Sequence, residues 1–198
     1  MIQFNFSENY ILEDDVVLLR PIQLTDYEHL KKFSVYQPEL WKYSLVNVAG
    51  EENLKRYIQE TVNLRSAEKE FPFIVFDKRV QQYAGSTRFY DIQLSNKTLQ
   101  LGYTWYGKEF HGTGLNKHCK YLLLEFAFEK MGMERVEFRA DNNNEKSVAA
   151  MKSIGCTVEG VLRQNLILPD GKRRDSIILS ILKNEWEKYV KEKLARKL

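Results

Sequence analysis

The sequence predicts a mixed α/β fold, in which helices cover both faces of a sheet, built as a single domain over residues 1–198. Three strand-like segments follow one another at residues 71–76, 83–91 and 99–105. From Leu115 the spacing of apolar residues changes to that of a helix. A sheet with apolar faces needs helices to cover them, and 198 residues suffice for one core.

The first part of the chain is predicted to form a strand and two helices. Aliphatic and β-branched residues predict a strand at residues 16–20, which Pro21 ends. Thr25 and Glu28 match a capping box at the start of the first helix. Apolar residues at helical spacing predict the second helix at residues 51–67.

The last part of the chain alternates between strand and helix signals. A final amphipathic helix is predicted to place Trp186, Tyr189, Val190 and Leu194 on one side. The elements predicted before it are a helix from Leu115 to Gly132, a strand at 135–140, a turn at 141–144, a helix at 147–154, and a hairpin of 158–168 with 175–182.

Composition is that of an ordinary water-exposed globular protein, with 43% hydrophobic and 29% charged residues. Apolar runs are shorter than the ~20 residues of a membrane span, and no secretory pattern is present, so we expect the cytoplasm. The net charge of +3 comes from the basic tail at residues 183–198, which we interpret as a solvated face rather than a nucleic-acid site. Cys119 and Cys156 are expected to pack as small apolar residues.

The most informative segment is a strand that runs into a glycine-containing turn and then directly into a helix. Gly112 and Gly114 allow a tight turn whose amides approach a ligand closely, because no side chain stands in the way. The first N–H groups of a helix and the positive end of its dipole favour a pyrophosphate at the same corner.

Together with this turn, matches along most of the chain resemble the GNAT superfamily of N-acetyltransferases, in particular the branch of ribosomal-protein N-terminal alanine and serine acetyltransferases. The pyrophosphate loop of that family reads Gln/Arg-Gly-x-Gly-x-Gly/Ala, and residues 111–116 follow it with His first and Asn last. The other matches are Leu19-Arg20-Pro21, Asn144-Glu-Lys-Ser147, Ile154-Gly155, Glu159-Gly-Val-Leu-Arg163, Asp170-Gly171, Arg174-Asp175 and Glu185-Trp186.

The resemblance implies a GNAT-type acyl-CoA N-acyltransferase fold with a mostly antiparallel sheet. It also implies acetyl-CoA as co-substrate, no metal, and transfer of an acetyl group to a primary amine by direct attack in a ternary complex. The acceptor stays open between a protein N-terminus, a peptide and a small amine. An alternative from another class is a catalytically idle protein that binds acyl-CoA and regulates.

By the same resemblance, backbone groups of Tyr103, Thr104 and Trp105 are expected to contact the pantetheine arm of coenzyme A, and Asn144 to hydrogen-bond it further along. A strand edge can pair with the amides of such an arm. The pyrophosphate is expected on the loop formed by His111, Gly112, Thr113, Gly114, Leu115 and Asn116.

Catalytic residues are less well marked. Many family members carry a Tyr as proton donor at the position of Met151, so Ser147 becomes the candidate acid, although a serine there also suits a helix cap. Glu109 is our first candidate for the base, with Asp91 and His111 as alternatives. His118 is interpreted as a surface or packing residue, and Arg174 with Asp175 as a local ion pair.

The acceptor site is expected between the connection at residues 38–43 and the turn at residues 169–172. Trp41 and Tyr43 would line it, or would belong to the core. The apolar stripe of the final helix is expected to pack on its own domain or on a second subunit, which leaves a homodimer open.

Overall fold

The structure is a computed structural model that describes residues 4–198. In this range eight strands form one sheet. In chain order they are β1 (Leu12–Glu13), β2 (Val17–Pro21), β3 (Phe71–Asp77), β4 (Gln82–Gln93), β5 (Thr98–Tyr106), β6 (Arg135–Asp141), β7 (Thr157–Ile167) and β8 (Arg173–Leu182).

The strands lie in the order β1-β2-β3-β4-β5-β6-β8-β7. Every neighbouring pair is antiparallel except β5 and β6, which are parallel. A parallel pair needs a long crossover connection, and the helix predicted from Leu115 supplies it. The predicted mixed α/β fold with a mostly antiparallel sheet is therefore confirmed.

Helices cover the two faces of this sheet. Neighbouring residues of β4 point to opposite faces, and Thr87 meets α3 whereas the guanidinium of Arg88 lies over Tyr57 of α2. The helices are α1 (Tyr27–Tyr36), α2 (Glu51–Ser66), α3 (Leu115–Glu125), α4 (Glu145–Ser153), α5 (Lys183–Glu185) and α6 (Lys191–Ala195).

The start of α1 differs from the prediction. The capping box of Thr25 and Glu28 is wrong, because the chain enters α1 through a 3₁₀ turn that begins earlier. There the N–H of Gln23 donates to the Asp26 carboxylate over 2.8 Å. Asp26 is 1% exposed and is paired with Arg20 at 2.6 Å, and this buried ion pair fixes where the helix begins.

The C-terminal helix also differs in one residue. Trp186, Val190 and Leu194 are buried as predicted, but Tyr189 is 46% exposed. The segment between α5 and α6 is a π-helical turn, in which hydrogen bonds span five residues instead of four. Val190, rather than Tyr189, therefore lies on the same buried face of the helix as Trp186. The stripe packs on this chain itself, where Trp186 stacks on Phe128 with ring centroids 5.7 Å apart.

The remaining expectations concern buried residues and local pairs. Cys119 and Cys156 are both buried, which confirms their interpretation as packing residues. The ion pair expected between Arg174 and Asp175 does not form, since neighbouring residues of β8 face opposite sides and the Asp175 carboxylate accepts from the N–H of Gln164 at 2.7 Å. No helix within residues 4–198 combines the length and the apolar character that crossing a membrane requires.

Candidate active site

The site lies where β5 and β6 separate. The two parallel strands pair from Thr98 with Arg135 to Gln100 with Glu137, and the paired register goes no further. From Gly102 onward, β5 therefore has an edge that faces a gap instead of β6. Because parallel strands bring their carboxyl ends to the same edge of a sheet, the segments that follow β5 and β6 meet around this gap.

A β-bulge lies in β5 at the opening of the gap. Arg88 pairs with Gly102 but Ser86 pairs with Trp105, so β5 carries one extra residue, and Tyr103 has φ +48°. A bulge leaves its extra residue outside the ladder. Backbone groups near Tyr103 thus lack a ladder partner on β4 as well as on β6.

The bulge decides which side chains of β5 share a face. Leu99, Leu101, Tyr103 and Trp105 do not share one face, because the extra residue reverses the alternation. Leu101 is paired with Phe89 on the α3 face, whereas Tyr103 lies on the opposite face, with its ring centroid 4.1 Å from the Arg88 guanidinium. Trp105 lies on that opposite face too and contacts Phe33 of α1.

The loop before α3 presents unpaired backbone donors. Gly112 and Gly114 have φ of +75° and +87°, and a Cβ added to either would meet nothing within 4 Å. Within residues 4–198 no protein atom accepts a hydrogen bond from the N–H groups of Gly112, Thr113, Gly114 or Asn116. The N–H of Leu115 reaches only the Thr113 hydroxyl, at 3.4 Å. The loop therefore borders open space and presents several backbone N–H groups that have no protein acceptor among the described residues.

Contacts from outside hold this loop in shape. The Thr113 hydroxyl donates to the carbonyl of Phe110 at 2.9 Å, and Arg79 donates to the Thr113 carbonyl at 3.0 Å. Arg79 is itself paired with the buried Asp77 at 2.6 Å. The His111 ring donates through Nε2 to the Tyr106 carbonyl at 2.9 Å. His111 thus holds the loop in shape, and the role of Arg79 was not predicted.

Across the gap, the turn after β6 leads into α4. Asn144 is the N-cap of this helix, because its Oδ1 accepts from the N–H of Ser147 at 3.2 Å. Ser147 is therefore not the cap, and this part of its interpretation is wrong. Its hydroxyl makes no hydrogen bond in the described chain, and neither does Nδ2 of Asn144. Both groups remain able to contact a ligand.

The structure does not bring the two catalytic candidates into contact. Glu109 lies in the turn after β5 and faces α1, where Gln37 donates to it at 3.0 Å and Lys32 lies 3.6 Å away. Burial raises the pKa of Glu109, but the Gln37 hydrogen bond and the Lys32 charge outweigh it and leave the pKa lowered. Ser147 lies in the first turn of α4 instead.

The other catalytic candidates are also located. Asp91 accepts from Gln100 at 2.8 Å, at the end of β5 that is still paired with β6. Met151 is 7% exposed in α4, and its thioether has no proton to donate. His118 is a packing residue as expected, since its Nδ1 lies 2.7 Å from the Asp14 carboxylate.

A buried lysine below the gap was not predicted. Lys120 of α3 is 5% exposed, and its ammonium donates to the hydroxyls of Thr104 at 2.8 Å and Thr87 at 3.4 Å. Burial lowers the pKa of Lys120 to about 8. The only signal in the sequence is a charged residue directly after Cys119 in the apolar stripe of the helix.

The open surface next to the site differs from the expected acceptor slot. Trp41 is 7% exposed and packs 5.4 Å from Trp105, so it belongs to the core. A groove lies between residues 45–47, α2 and residues 167–169 of the β7–β8 hairpin, and Tyr57, which lines it, contacts the same Arg88 guanidinium as Tyr103. Over residues 4–198 there is no cluster of three or more His, Cys, Asp or Glu placed to hold a metal ion.

Comparison with known sequences identifies a family and relatives that match large parts of this chain. A family model described as an acetyltransferase (GNAT) domain matches residues 17–157. YdaF of Bacillus subtilis (strain 168), provisionally named a ribosomal N-acetyltransferase, is 35% identical over 103 residues. That match spans 52% of this chain and 55% of YdaF, which is little more than half of either protein.

Solved structures agree over a longer range. An acetyltransferase from T. thermophilus, also provisionally named, has a TM-score of 0.86 at 32% identity, covering 97% of this chain and 98% of that one. The ribosomal-protein-S5-alanine acetyltransferase from Vibrio fischeri has a TM-score of 0.74 at 20% identity, covering 90% and 99%, a likeness of fold alone. On the family model and the T. thermophilus relative, the chain belongs to the GNAT family of acetyltransferases.

Proposed function

We propose that the protein is an acetyl-CoA-dependent N-acetyltransferase that acetylates a primary amine by direct attack in a ternary complex. The observation that carries this proposal is the loop between β5 and α3, whose N–H groups from Gly112 to Asn116 lack protein acceptors among the described residues, apart from the long contact of Leu115 with Thr113. Such donors at a helix start suit a pyrophosphate, because each needs an acceptor and the helix dipole favours negative charge.

The pantetheine arm of acetyl-CoA would lie along the unpaired edge of β5. Backbone groups of Tyr103, Thr104 and Trp105 would pair with its amides as a neighbouring strand would. From the opposite wall, Asn144 would donate through Nδ2, since its Oδ1 already accepts from Ser147. The thioester would then lie near the bulge at Tyr103, where backbone donors outside the ladder can polarise its carbonyl.

Acetyl-CoA would supply the activated acyl group, and the amine must arrive unprotonated to attack it. Glu109 is the proposed base and would act through water, because Gln37 and Lys32 hold its carboxylate on the α1 side. Ser147 remains a proposed proton donor on α4, and its hydroxyl makes no protein hydrogen bond in residues 4–198. Transfer would occur without a covalent acyl-enzyme.

For the acceptor we propose the N-terminal amine of a peptide or protein, entering along the groove between α2 and the β7–β8 hairpin. An extended peptide end needs an open groove of this kind rather than an enclosed cavity. YdaF is provisionally named a ribosomal N-acetyltransferase, and the Vibrio fischeri protein is named for alanine of ribosomal protein S5, which motivates alanine as the first residue. Serine is motivated by the branch that the sequence resembles.

Replacing Gly114 by tryptophan tests the cofactor position. We expect Gly114→Trp to abolish coenzyme A binding measured by calorimetry, because its indole would occupy the space that the loop amides surround. Gly171→Trp is a matched control, since Gly171 has φ +83° and equally open surroundings at the tip of the β7–β8 hairpin. Unchanged affinity in Gly114→Trp would contradict the proposed position.

The amine is tested by thiol release from acetyl-CoA with peptides that begin with alanine or serine and with small amines. Release that depends on a peptide with an unblocked N-terminus supports the proposed acceptor. A protein that binds coenzyme A but releases no thiol with any acceptor would instead fit an idle acyl-CoA-binding role.

A further inference from the structure

Lys120 is a buried cation without a buried anion. It is 5% exposed, and within residues 4–198 no carboxylate lies at ion-pairing distance from its ammonium, which is held by the hydroxyls of Thr87 and Thr104. An ammonium removed from water is strongly unfavourable unless a charge or a full set of hydrogen bonds compensates it. Two hydroxyls compensate only part of this loss.

The groups around the ammonium supply no negative charge at neutral pH. The hydroxyls of Thr87 and Thr104 bind it, and the ionisable groups whose charge would affect its pKa are the thiols of Cys119 and Cys156. Burial raises the pKa of each thiol to about 12, so both stay neutral. An apolar residue would fill this position at less cost in folding free energy.

The position of Lys120 connects it to the gap. Thr104 lies in the part of β5 that has already separated from β6, one residue after the bulge. The hydrogen bond from the ammonium to Thr104 therefore places Lys120 beside the part of β5 whose edge faces the gap, where the thioester is proposed to lie.

We propose that Lys120 is the general acid that protonates the sulfur of coenzyme A as the acetyl group leaves. This inference rests on the proposed function. The amine nitrogen forms a bond to the thioester carbonyl carbon, the carbon–sulfur bond breaks with its electron pair on sulfur, and an N–H proton of Lys120 moves to that sulfur. The proton that the amine gives up passes to water, and Lys120 is protonated again from solvent.

The acidity of the Lys120 ammonium suits proton transfer to the thiolate of coenzyme A. A cysteine thiol has a pKa of about 8.5 and a simple alkyl thiol a higher one, so an acid with a pKa near 8 gives up its proton to the thiolate without a free-energy cost. An ordinary lysine is too weak an acid for this, and burial shifts Lys120 in the required direction. Met151 cannot donate a proton, so Lys120 would take the role of proton donor in place of Ser147.

The first test measures the thiol of bound coenzyme A, which needs no acceptor. Ultraviolet absorption of the thiolate is followed against pH in complexes with the wild type and with Lys120→Met. A nearby ammonium stabilises the thiolate, so we expect the pKa of the bound thiol to lie about one unit lower in the wild type than in the variant. The control Lys130→Met, which removes an exposed ammonium beyond α3, should match the wild type.

The second test measures turnover with acetyl-CoA and a peptide that begins with alanine. Loss of a general acid typically lowers the rate by about a hundredfold or more, so kcat of Lys120→Met should fall by about that factor while coenzyme A affinity is kept. Lys120→Gln should be equally slow, because it keeps a hydrogen bond to Thr104 but has no acidic proton.

Two results would overturn the inference. One is an unchanged thiol pKa in the Lys120→Met complex, and the other is wild-type kcat in Lys120→Gln, which would assign Lys120 a purely structural role. Absence of turnover in the wild type with every acceptor would count against the proposed function alone. The thiol titration would still report whether Lys120 faces the sulfur.

Discussion

At the scale of single residues, the loop before α3 takes its tight turn from Gly112 and Gly114 and is held by Arg79, which donates to the Thr113 carbonyl. Gly112 and Gly114 stand directly before a helical pattern, so a tight turn with exposed amides followed from local sequence. Arg79 reaches the Thr113 carbonyl from 34 positions earlier in the chain, and no local pattern indicates such a contact. Loop shape therefore depends on tertiary contacts that the sequence did not reveal.

The same scale yields a prediction for the two cysteines. Burial raises the pKa of Cys119 and of Cys156 to about 12, so only a very small fraction of either thiol is ionised at pH 8. We expect neither to react with iodoacetamide in the folded protein during a time that labels both fully in denaturant. Mass spectrometry counts the adducts, and rapid labelling of either cysteine before unfolding would contradict their packing role.

At the scale of elements, strands and helices with a strong local period were predicted, and departures from regular geometry were not. The strand, two-helix and hairpin signals correspond to β2, α1, α2, β7 and β8 within a few residues. The bulge at Tyr103 arises in the pairing of β5 with β4, and the exposure of Tyr189 accompanies the π-helical turn at Trp186–Val190. Both changed which side chains share a face.

The pairing of β6, β7 and β8 carries a pH-dependent prediction. Arg135 and the Ser180 hydroxyl both donate to Glu159 and lower its pKa to about 2. A lowered carboxyl pKa stabilises the fold fully above the ordinary value of about 4.5, and this contribution disappears as the pH falls towards 2. Because the side chain of Glu159 is 39% exposed, the contribution should be at most about 1 kcal/mol.

Denaturant unfolding of Glu159→Gln measures this contribution. The variant should be less stable than the wild type at pH 7, and the difference in unfolding free energy should disappear near pH 2. The matched control is Glu192→Gln, which removes an exposed ion pair with Arg196 at the end of the last helix. Its unfolding free energy should differ little from that of the wild type at either pH. An equal difference for Glu159→Gln at both pH values would contradict the assignment.

At the scale of the whole molecule, the sequence supplied the order of elements, and resemblance to a family supplied their arrangement. Periodicity alone indicated a mixed sheet with helices, whereas the mostly antiparallel order followed from the GNAT resemblance. Neither located Lys120 below the gap, since its place depends on contact between α3 and two strands. The gap between β5 and β6 is thus where tertiary structure adds most to the site.

The central claim is that the amides between β5 and α3 bind the pyrophosphate of acetyl-CoA, and amide spectra test it most directly. Coenzyme A is titrated into isotope-labelled protein while the backbone N–H resonances are followed. The account predicts that the largest shifts fall on Gly112, Thr113, Gly114 and Asn116, because these donors lack protein acceptors in the described chain. Saturable coenzyme A binding that leaves these four resonances unmoved would contradict it.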